Sequence, residues 1–154
     1  MVWTVSSLGG YVGAMAATEK VKAFLAEPRN IVVAGVRRNG DPHLSPNWFY
    51  WDGELFYVST TRHRVKYRVF TDNPRGVVLI DDSTGFRYVR VPVTVEVRED
   101  LHAELPRFRA IREKMGVAVP SDEEFLAWLH SEGRVLLAMT PDGPLGTWTI
   151  HGLD

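Results

Sequence analysis

Short stretches of apolar residues, each closed by a turn signal, run through most of the chain. The first stretch has helical spacing from Thr18 to Pro28, since its apolar residues recur every three or four positions. A continuous β-branched run from Ile31 to Val36 follows it. The pattern therefore predicts a short leading helix and then a strand.

Two glycine-containing turn signals predict the next strands. Asn39-Gly40 is a strong hairpin signal, because both residue types tolerate a positive φ angle. The return strand runs from about His43 to Trp51, and Asp52-Gly53 turns the chain into a third strand, Leu55 to Val58. We expect these three strands to pair in succession as an antiparallel meander.

After the third predicted strand, the sequence pattern changes from strand spacing to helical spacing. Thr61 is in position to cap a helix from about Arg62 to Thr71. Asn73-Pro74 would end that helix, since proline cannot continue it.

Strand patterns return in the second half of the chain. Val77 to Ile80 and Tyr88 to Val97 are two such runs, and valine occupies every second position of the latter. Pro92 lies inside the second run, so we expect it at a sheet edge or a bulge. Val135 to Met139 and Gly146 to Ile150 predict two closing strands.

Two helices are predicted between these strands. One spans about Leu105 to Lys114, and the other opens at Ser121, with Glu124 completing a capping box. Helices inserted among strands, rather than alternating with them, argue against a doubly wound parallel sheet. The pattern favours a mainly β (α+β) fold, a barrel of six to seven antiparallel strands with a few peripheral helices.

Length and composition indicate one ordinary globular domain. The chain has 154 residues, of which 45% are hydrophobic and 24% are charged. Residues 1–17 are mostly small and mildly apolar and lack a leading basic stretch, so we expect a flexible N-terminal arm before a single domain over residues 18–154. Without an apolar run of roughly 20 residues, no membrane span is expected. A cytoplasmic location is predicted.

Charge and residue usage exclude several classes of site. The formal charge of −1 argues against a uniformly basic nucleic-acid binder. The chain has no cysteine, which removes disulfides, thiolate metal sites and cysteine nucleophiles. Its five histidines show no metal-ligand spacing, so no metal is predicted. Since no nucleophile elbow or phosphate-binding P-loop occurs, an enzyme built on this chain would depend on a bound cofactor.

A cluster of cations surrounds the predicted helix after the third strand. Positive charge at a helix N-terminus opposes the helix dipole, and a bound anion would reverse that effect. The hydroxyls of Ser59, Thr60 and Thr61 precede the helix and could donate to phosphate oxygens. The alternative is a solvated basic face. The cations are Arg62, Arg64, Lys66, Arg68 and Arg75, against the single acid Asp72.

The second predicted strand carries a row of polar side chains. Alternation puts His43, Ser45 and Asn47 on one face, where they could hydrogen-bond the edge of a planar heterocycle. Pro46 interrupts the ladder, and such positions often coincide with bulges and ligand contacts. In the alternative interpretation the polar row simply faces water.

The order of these motifs resembles a known family. Gly40 to Phe49, then Asp52-Gly53, Leu55 to Ser59, Arg64-Val65-Lys66 and Asn73-Pro74-Arg75 are similar to the split-barrel flavin-binding superfamily of pyridoxamine 5′-phosphate oxidase. Within it the nearest likeness is to the flavin/deazaflavin oxidoreductases that use coenzyme F420. The C-terminal substrate residues of the oxidases proper have no match, so pyridoxamine phosphate oxidation is not expected.

The resemblance implies a homodimeric split β-barrel with two cofactor sites at the subunit interface. It places Arg64 and Lys66, with the intervening Val65, at the cofactor phosphate. A second group would line the flavin or deazaflavin ring and its phosphate side: His43, Ser45, Pro46, Asn47, Ser59 and Thr60. Tyr88 and Trp148 are candidates for the substrate wall, with a place in the core as the alternative.

Three function classes follow. The first hypothesis is an F420-dependent reductase of a conjugated small molecule, favoured because Arg62 and Arg68 would suit the anionic tail of that cofactor. The second is an FMN-dependent oxidoreductase of the same fold. The third is a non-catalytic carrier of a flavin or tetrapyrrole.

Overall fold

Antiparallel strands form one sheet whose two ends are joined through a single residue. The computed structural model of the protein describes residues 18–154. Its eight strands pair in the order β2-β1-β5-β6-β7-β4-β3, with β8 added beside β6. The strands are β1 (Asn30–Val36), β2 (Pro42–Trp48), β3 (Tyr50–Trp51), β4 (Phe56–Thr61), β5 (Arg75–Asp81), β6 (Tyr88–Arg98), β7 (Arg134–Pro141) and β8 (Thr149–His151).

Helices cover parts of this sheet. Residues 18–26 are helical and are called α1. The later helices are α2 (Val65–Asp72), α3 (Leu101–Lys114) and α4 (Asp122–Ser131), and a 3₁₀ turn spans Leu145–Thr147. No helix within residues 18–154 is long and apolar enough to cross a membrane.

The curl of the sheet follows from the chain connection at Phe49. β2 and β3 lie at opposite ends of the strand order, yet Phe49 is the one residue between them. The sheet must therefore bend until its ends meet, and the Phe49 side chain is fully buried there. This architecture confirms the predicted fold class, a mainly β (α+β) split barrel.

Two apolar layers hold the barrel and its helices together. The inner layer combines alternate residues of the strands, such as Val33, Val78 and Val91, with Phe24 of α1. The outer layer packs α3 and α4 against the outward face of β4 and β7. Its members are Tyr57, Leu105, Phe108, Ile111, Phe125, Leu129, Leu136 and Ala138. Burial of each large apolar side chain contributes about 1.5–3 kcal/mol.

The predicted turns are present, but the predicted meander is wrong. Gly40 and Gly53 adopt φ angles of 89° and 100° at the two turns. However, the return strand breaks at Phe49, so β2 stays beside β1 while the two-residue β3 pairs with β4. β4 then finds its main partner in β7.

The expectation that Pro92 lies at an edge or a bulge is also wrong. β6 is central, and its register with β5 continues without an offset through the pair Val77–Pro92. On its other side β6 pairs with β8 as far as Arg90 and with β7 from Val93. Pro92 occupies the gap between these two partners, where its carbonyl accepts from the Asp142 amide and no ladder donor is needed.

Several element boundaries differ from the sequence pattern. α2 begins at Val65 with Arg64 as its N-cap, so Thr61 is the last residue of β4 and not the cap. α3 begins at Leu101, because the Asp100 side chain accepts from the Ala103 amide and Pro106 is accommodated inside the helix.

Two further predictions have opposite outcomes. The predicted cap of α4 is confirmed, since the Ser121 side chain accepts from the Glu124 amide. The last predicted strand is replaced by the 3₁₀ turn and the short β8. The predicted N-terminal arm, residues 1–17, lies outside the described residues.

The position of α2 depends on a close approach to β1 and β5. A Cβ atom at Gly35 would lie 2.7 Å from Val69 Cγ1 and 2.9 Å from the Phe70 ring. A Cβ at Gly76 would lie 3.0 Å from the same ring. Only glycine leaves room for α2 at this distance, so these positions let the second turn of α2, at Val69 and Phe70, pack directly on the sheet.

We expect Gly35→Ala to destabilise the fold by about 1–3 kcal/mol, because the added methyl overpacks the α2 contact. Urea unfolding measures the change. Gly146→Ala is the matched control, since nothing lies within 4 Å of a Cβ there, and its effect should stay within about 0.5 kcal/mol. Equal stability of both variants would show that α2 tolerates displacement from the sheet.

Candidate functional site

A buried lysine joins α2 to the polar face of β2. Lys66 lies in the first turn of α2 and is 4% exposed. Its Nζ donates to Ser45 Oγ at 2.7 Å and to Asn47 Oδ1 at 2.8 Å. An ammonium has three donors, so one N–H of Lys66 remains beyond these contacts. Three residues predicted for one site are thus brought together.

The Lys66 ammonium is poorly compensated. Burial, and after it the neighbouring positive charge of Arg64, lowers the pKa of Lys66 to about 8. Ser45 and Asn47 offer neutral oxygens, not a carboxylate. A negatively charged group placed at the remaining donor would offset the cost of burying this charge.

The N-terminus of α2 lacks a side-chain cap. Its N-cap residue, the exposed Arg64, makes no capping hydrogen bond, and its first turn contains no acidic residue. Arg62 precedes the helix and pairs with Glu99, Nε to Oε1 at 3.1 Å. The Tyr67 hydroxyl donates to the same carboxylate. Arg62 is therefore partly neutralised, whereas Lys66 has no carboxylate partner of this kind.

The alternation predicted for β2 is confirmed. His43, Ser45 and Asn47 are half-buried, while Leu44 and Trp48 are 58% and 42% exposed. Burial first, then the charges of Arg37 and Lys66, lower the pKa of His43.

Pro46 causes no bulge in β2. It pairs with Val32 in an unbroken register. β2 is an edge strand of the pairing order, where a missing amide donor is tolerated.

The hydroxyl residues of β4 do not share one face. Ser59 is half-buried and faces outward, toward α3 and α4. Thr60 points to the opposite side, is 1% exposed, and its Oγ1 has no hydrogen-bond partner. Thr61 lies at the end of the strand and is 8% exposed.

A cavity of about 190 Å³ lies between the outward face of the sheet and helices α3 and α4. Two of its lining residues, Asn47 and Ser59, belong to the predicted site. Asn47 also accepts from Lys66, so the cavity adjoins the lysine cluster. The full lining is Asn47, Trp48, Ser59, Phe108, Ile111, Arg112, Phe125, Trp128, Leu129 and Arg134.

The two aromatic residues predicted for a substrate wall lie elsewhere. Tyr88 stacks on His151, with ring centroids 5.3 Å apart. Trp148 contacts Trp51 edge-on and lines a separate cavity of about 430 Å³. Within residues 18–154, neither lines the cavity beside Lys66.

The cavity contains residues that sequence reasoning missed. Arg112 lies on α3, Trp128 on α4, and Arg134 begins β7. They are far apart along the chain, and no motif links them. The one local signal is the spacing of Phe125 and Trp128, which puts both on one helix face. Across residues 18–154, no group of three or more His, Asp or Glu side chains is arranged to hold a metal ion.

A family model places this fold among known proteins. The model described as pyridoxamine 5′-phosphate oxidase matches residues 17–143. Among curated proteins, no sequence matches the chain.

Solved structures share the architecture. One described as an F420 reductase is 25% identical, covers 79% of this chain and 93% of its own, and has a TM-score of 0.64. A conserved hypothetical protein from Mycobacterium tuberculosis is 18% identical, with coverage of 88% and 84% and a TM-score of 0.73. A heme storage protein from Vibrio cholerae is 18% identical, with coverage of 87% and 94% and a TM-score of 0.68. The last two show the fold alone.

The lowered pKa of Lys66 predicts a rise in stability with pH. Between about 8 in the folded protein and its ordinary 10.5 in the unfolded chain, the unfolded state binds more protons, so the free energy of unfolding increases with pH. Relative to Lys66→Met, the wild type should gain up to about 3 kcal/mol across this window. Urea unfolding at a series of pH values measures the difference.

Lys20→Met provides the control for this titration, since Lys20 is exposed on α1. As a substitution of an exposed side chain, it should change the free energy of unfolding by no more than about 0.5 kcal/mol. A stability difference between the wild type and Lys66→Met that does not change with pH would mean that Lys66 has the same pKa in the folded and unfolded protein.

Proposed function

The chain belongs to the pyridoxamine 5′-phosphate oxidase family, and we propose that within it the protein is an F420-dependent oxidoreductase of a conjugated small molecule. The observation that carries this proposal is the buried Lys66, whose partners Ser45 and Asn47 line the face predicted to meet a ring. The similarity to an F420 reductase supports the choice of cofactor.

The residues present fit a cofactor phosphate. Lys66 keeps a free donor beside the uncapped N-terminus of α2, where amide N–H groups favour an anion. The unpartnered hydroxyl of Thr60 is a buried group that a ligand atom would satisfy. Arg64 is exposed next to Lys66 and can turn toward the same phosphate. We assign the phosphate to Arg64, Val65 and Lys66. Ser59 and Thr60 are the further candidates from the sequence, and because they point to opposite sides of β4, one phosphate could contact only one of them directly.

The ring of the cofactor is assigned to the polar face of β2. His43, Ser45, Pro46 and Asn47 would lie along its edge and supply hydrogen bonds that fix its orientation. When bound, the reduced cofactor would supply the hydride and the proton that reduction of a conjugated substrate requires, and the residues named above would hold it for that chemistry. The chain's own residues would bind the cofactor, orient it and exclude water from it. Tyr88 and Trp148 do not line the cavity beside Lys66, so their predicted role in a substrate wall rests on the resemblance alone.

FMN is the second candidate cofactor. The family model that matches the chain is described as pyridoxamine 5′-phosphate oxidase, and the superfamily of that oxidase binds flavins. Both cofactors contain a phosphate group that Lys66 would bind. F420 is preferred since Arg62 and Arg68 add positive charge that would suit its anionic tail, although Glu99 already engages Arg62. A non-catalytic carrier of a flavin or tetrapyrrole is the third possibility, and a lack of turnover with bound cofactor would favour it.

We further propose that the protein is a homodimer formed through the outward face of β2, β1 and β5. Leu44, Ala34 and Val77 form one row across these strands. With Val36 and Trp48 they leave an apolar surface exposed, Leu44 by 58% and Val36 by 44%. Such a surface is typical of an interface. A cytoplasmic location remains part of the proposal, since the chain has no cysteine to oxidise.

Loss of the Lys66 ammonium should weaken cofactor binding. We expect Lys66→Ala to cost about 1.5–3 kcal/mol of binding free energy, because a charge-assisted contact to phosphate is removed. Parallel fluorescence titrations with F420 and with FMN measure the effect and show which cofactor the wild type prefers.

Lys20→Ala is the control for the same titrations and should bind like the wild type. Unchanged affinity of Lys66→Ala for both cofactors would contradict the phosphate assignment. A clear wild-type preference for FMN would replace the first candidate by the second.

A charge in the apolar face should separate the subunits. We expect Leu44→Asp to shift the protein from dimer to monomer in sedimentation velocity, because an unpaired carboxylate is costly to bury. Phe86→Asp is the control, since Phe86 is 64% exposed in the loop before β6 and should leave the dimer intact. A monomeric wild type, or a dimeric Leu44→Asp, would show that this face is not the interface.

A further inference from the structure

The cavity between the sheet and α3–α4 combines an apolar floor with an aromatic wall. Phe108, Ile111 and Leu129 form the floor, and each is nearly fully buried. Phe125 and Trp128 form the wall, with parallel rings whose centroids are 5.9 Å apart. A volume of about 190 Å³ is smaller than the ~300 Å³ typical of drug-sized ligands. The space therefore suits a flat molecule with a single ring.

Two arginines bring positive charge to the same cavity. The Arg112 and Arg134 guanidinium carbons lie 4.9 Å and 5.1 Å from the Trp128 ring centroid. The Nε atom of each is buried and has no hydrogen-bond partner. Buried donors of this kind are normally satisfied by a partner, so both guanidinium groups retain unused hydrogen-bonding capacity beside the cavity.

Acidic compensation for these arginines is weak. Arg134 approaches Glu132 at 3.7 Å, but that carboxylate is 44% exposed. Burial lowers the pKa of Arg134, and the charges of Arg64 and Arg112 act in the same direction against Glu132. Two guanidinium groups thus line one cavity, with one partly solvated carboxylate near Arg134, which favours an anionic ligand.

We infer that this cavity binds a small aromatic or conjugated carboxylate, with its ring on the apolar floor and its carboxylate at Arg112 and Arg134. Because Asn47 lines the cavity and also accepts from Lys66, the bound ring would lie next to the assigned cofactor site. The inference that this ligand is the substrate rests on the proposed function. The binding of the carboxylate itself does not.

Cofactor-free, full-length protein and trans-cinnamate provide the test. Calorimetry, with quenching of tryptophan fluorescence as a second readout, should detect cinnamate binding to the wild type. Arg112→Gln and Arg134→Gln should each weaken it by at least tenfold, about the size of one charge-assisted contact. The neutral analogue cinnamamide should bind the wild type at least tenfold more weakly than cinnamate, for the same reason.

Arg90→Gln is the matched control, because Arg90 is exposed on β6 and makes a single long hydrogen bond to Thr149. It should bind cinnamate like the wild type, and circular dichroism should show all variants folded. Absence of cinnamate binding, or equal binding by Arg112→Gln and Arg134→Gln, would overturn the inference. Equal affinity for inorganic phosphate would overturn the aromatic part of it.

The two proposals fail independently. Cinnamate binding that persists in Lys66→Ala, in a protein that binds neither F420 nor FMN, would support the carboxylate site and contradict the proposed cofactor chemistry. Tight cofactor binding without cinnamate binding would support the proposed cofactor chemistry and contradict the carboxylate site.

Discussion

The seam of the barrel, where Phe49 links β2 to β3, is the constraint on which the other features depend. One buried residue separates the strands at the two ends of the sheet, so the ends must meet. Their meeting brings β2 next to β4, and with it Asn47 next to Ser59 at one cavity. The candidate site is therefore a product of barrel closure and not of any single motif.

Near that seam, close packing of α2 on the sheet holds the charged Lys66 in a buried position. Lys66 would be costly to bury alone, and two neutral hydrogen bonds compensate only part of its lost hydration. Gly35 and Gly76 let α2 approach the sheet closely enough to bring Lys66 against β2. The Lys66 ammonium is thereby held against two neutral oxygens and has no carboxylate partner among residues 18–154, an arrangement that suits an anionic ligand.

The helices inserted between β6 and β7 enclose the candidate site from the side opposite the sheet. α3 and α4 cover the outward face of β4 and β7 through apolar contacts, and near Asn47 and Ser59 this layer leaves a cavity. Arg112 and Arg134 reach that cavity from different elements and flank Trp128. Asn47 thus accepts from Lys66 and also lines the cavity that Arg112 and Arg134 line.

Several structural features of this protein could be predicted from the sequence because they depend on residues close together in the chain. Turn glycines, the cap at Ser121 and the alternation of β2 each depend on residues close in the chain, and the structure agrees with all three. The motif order also indicated the family and the grouping of Ser45, Asn47 and Lys66. The turns, the cap and the alternation were predictable because they depend on residues close in the chain. The family and the contact of Lys66 with Ser45 and Asn47 were indicated by the resemblance and not by local chemistry.

Only the tertiary structure decided the features that depend on strand pairing across the chain. Pro92 is tolerated in a central strand because two partners leave a gap beside it, and no local pattern records that gap. The predicted cap at Thr61, with a helix from about Arg62, is wrong because pairing with β7 extends β4 through Thr61. Arg112, Trp128 and Arg134 meet through packing of α3, α4 and β7, since long-range burial, not spacing, brings them together.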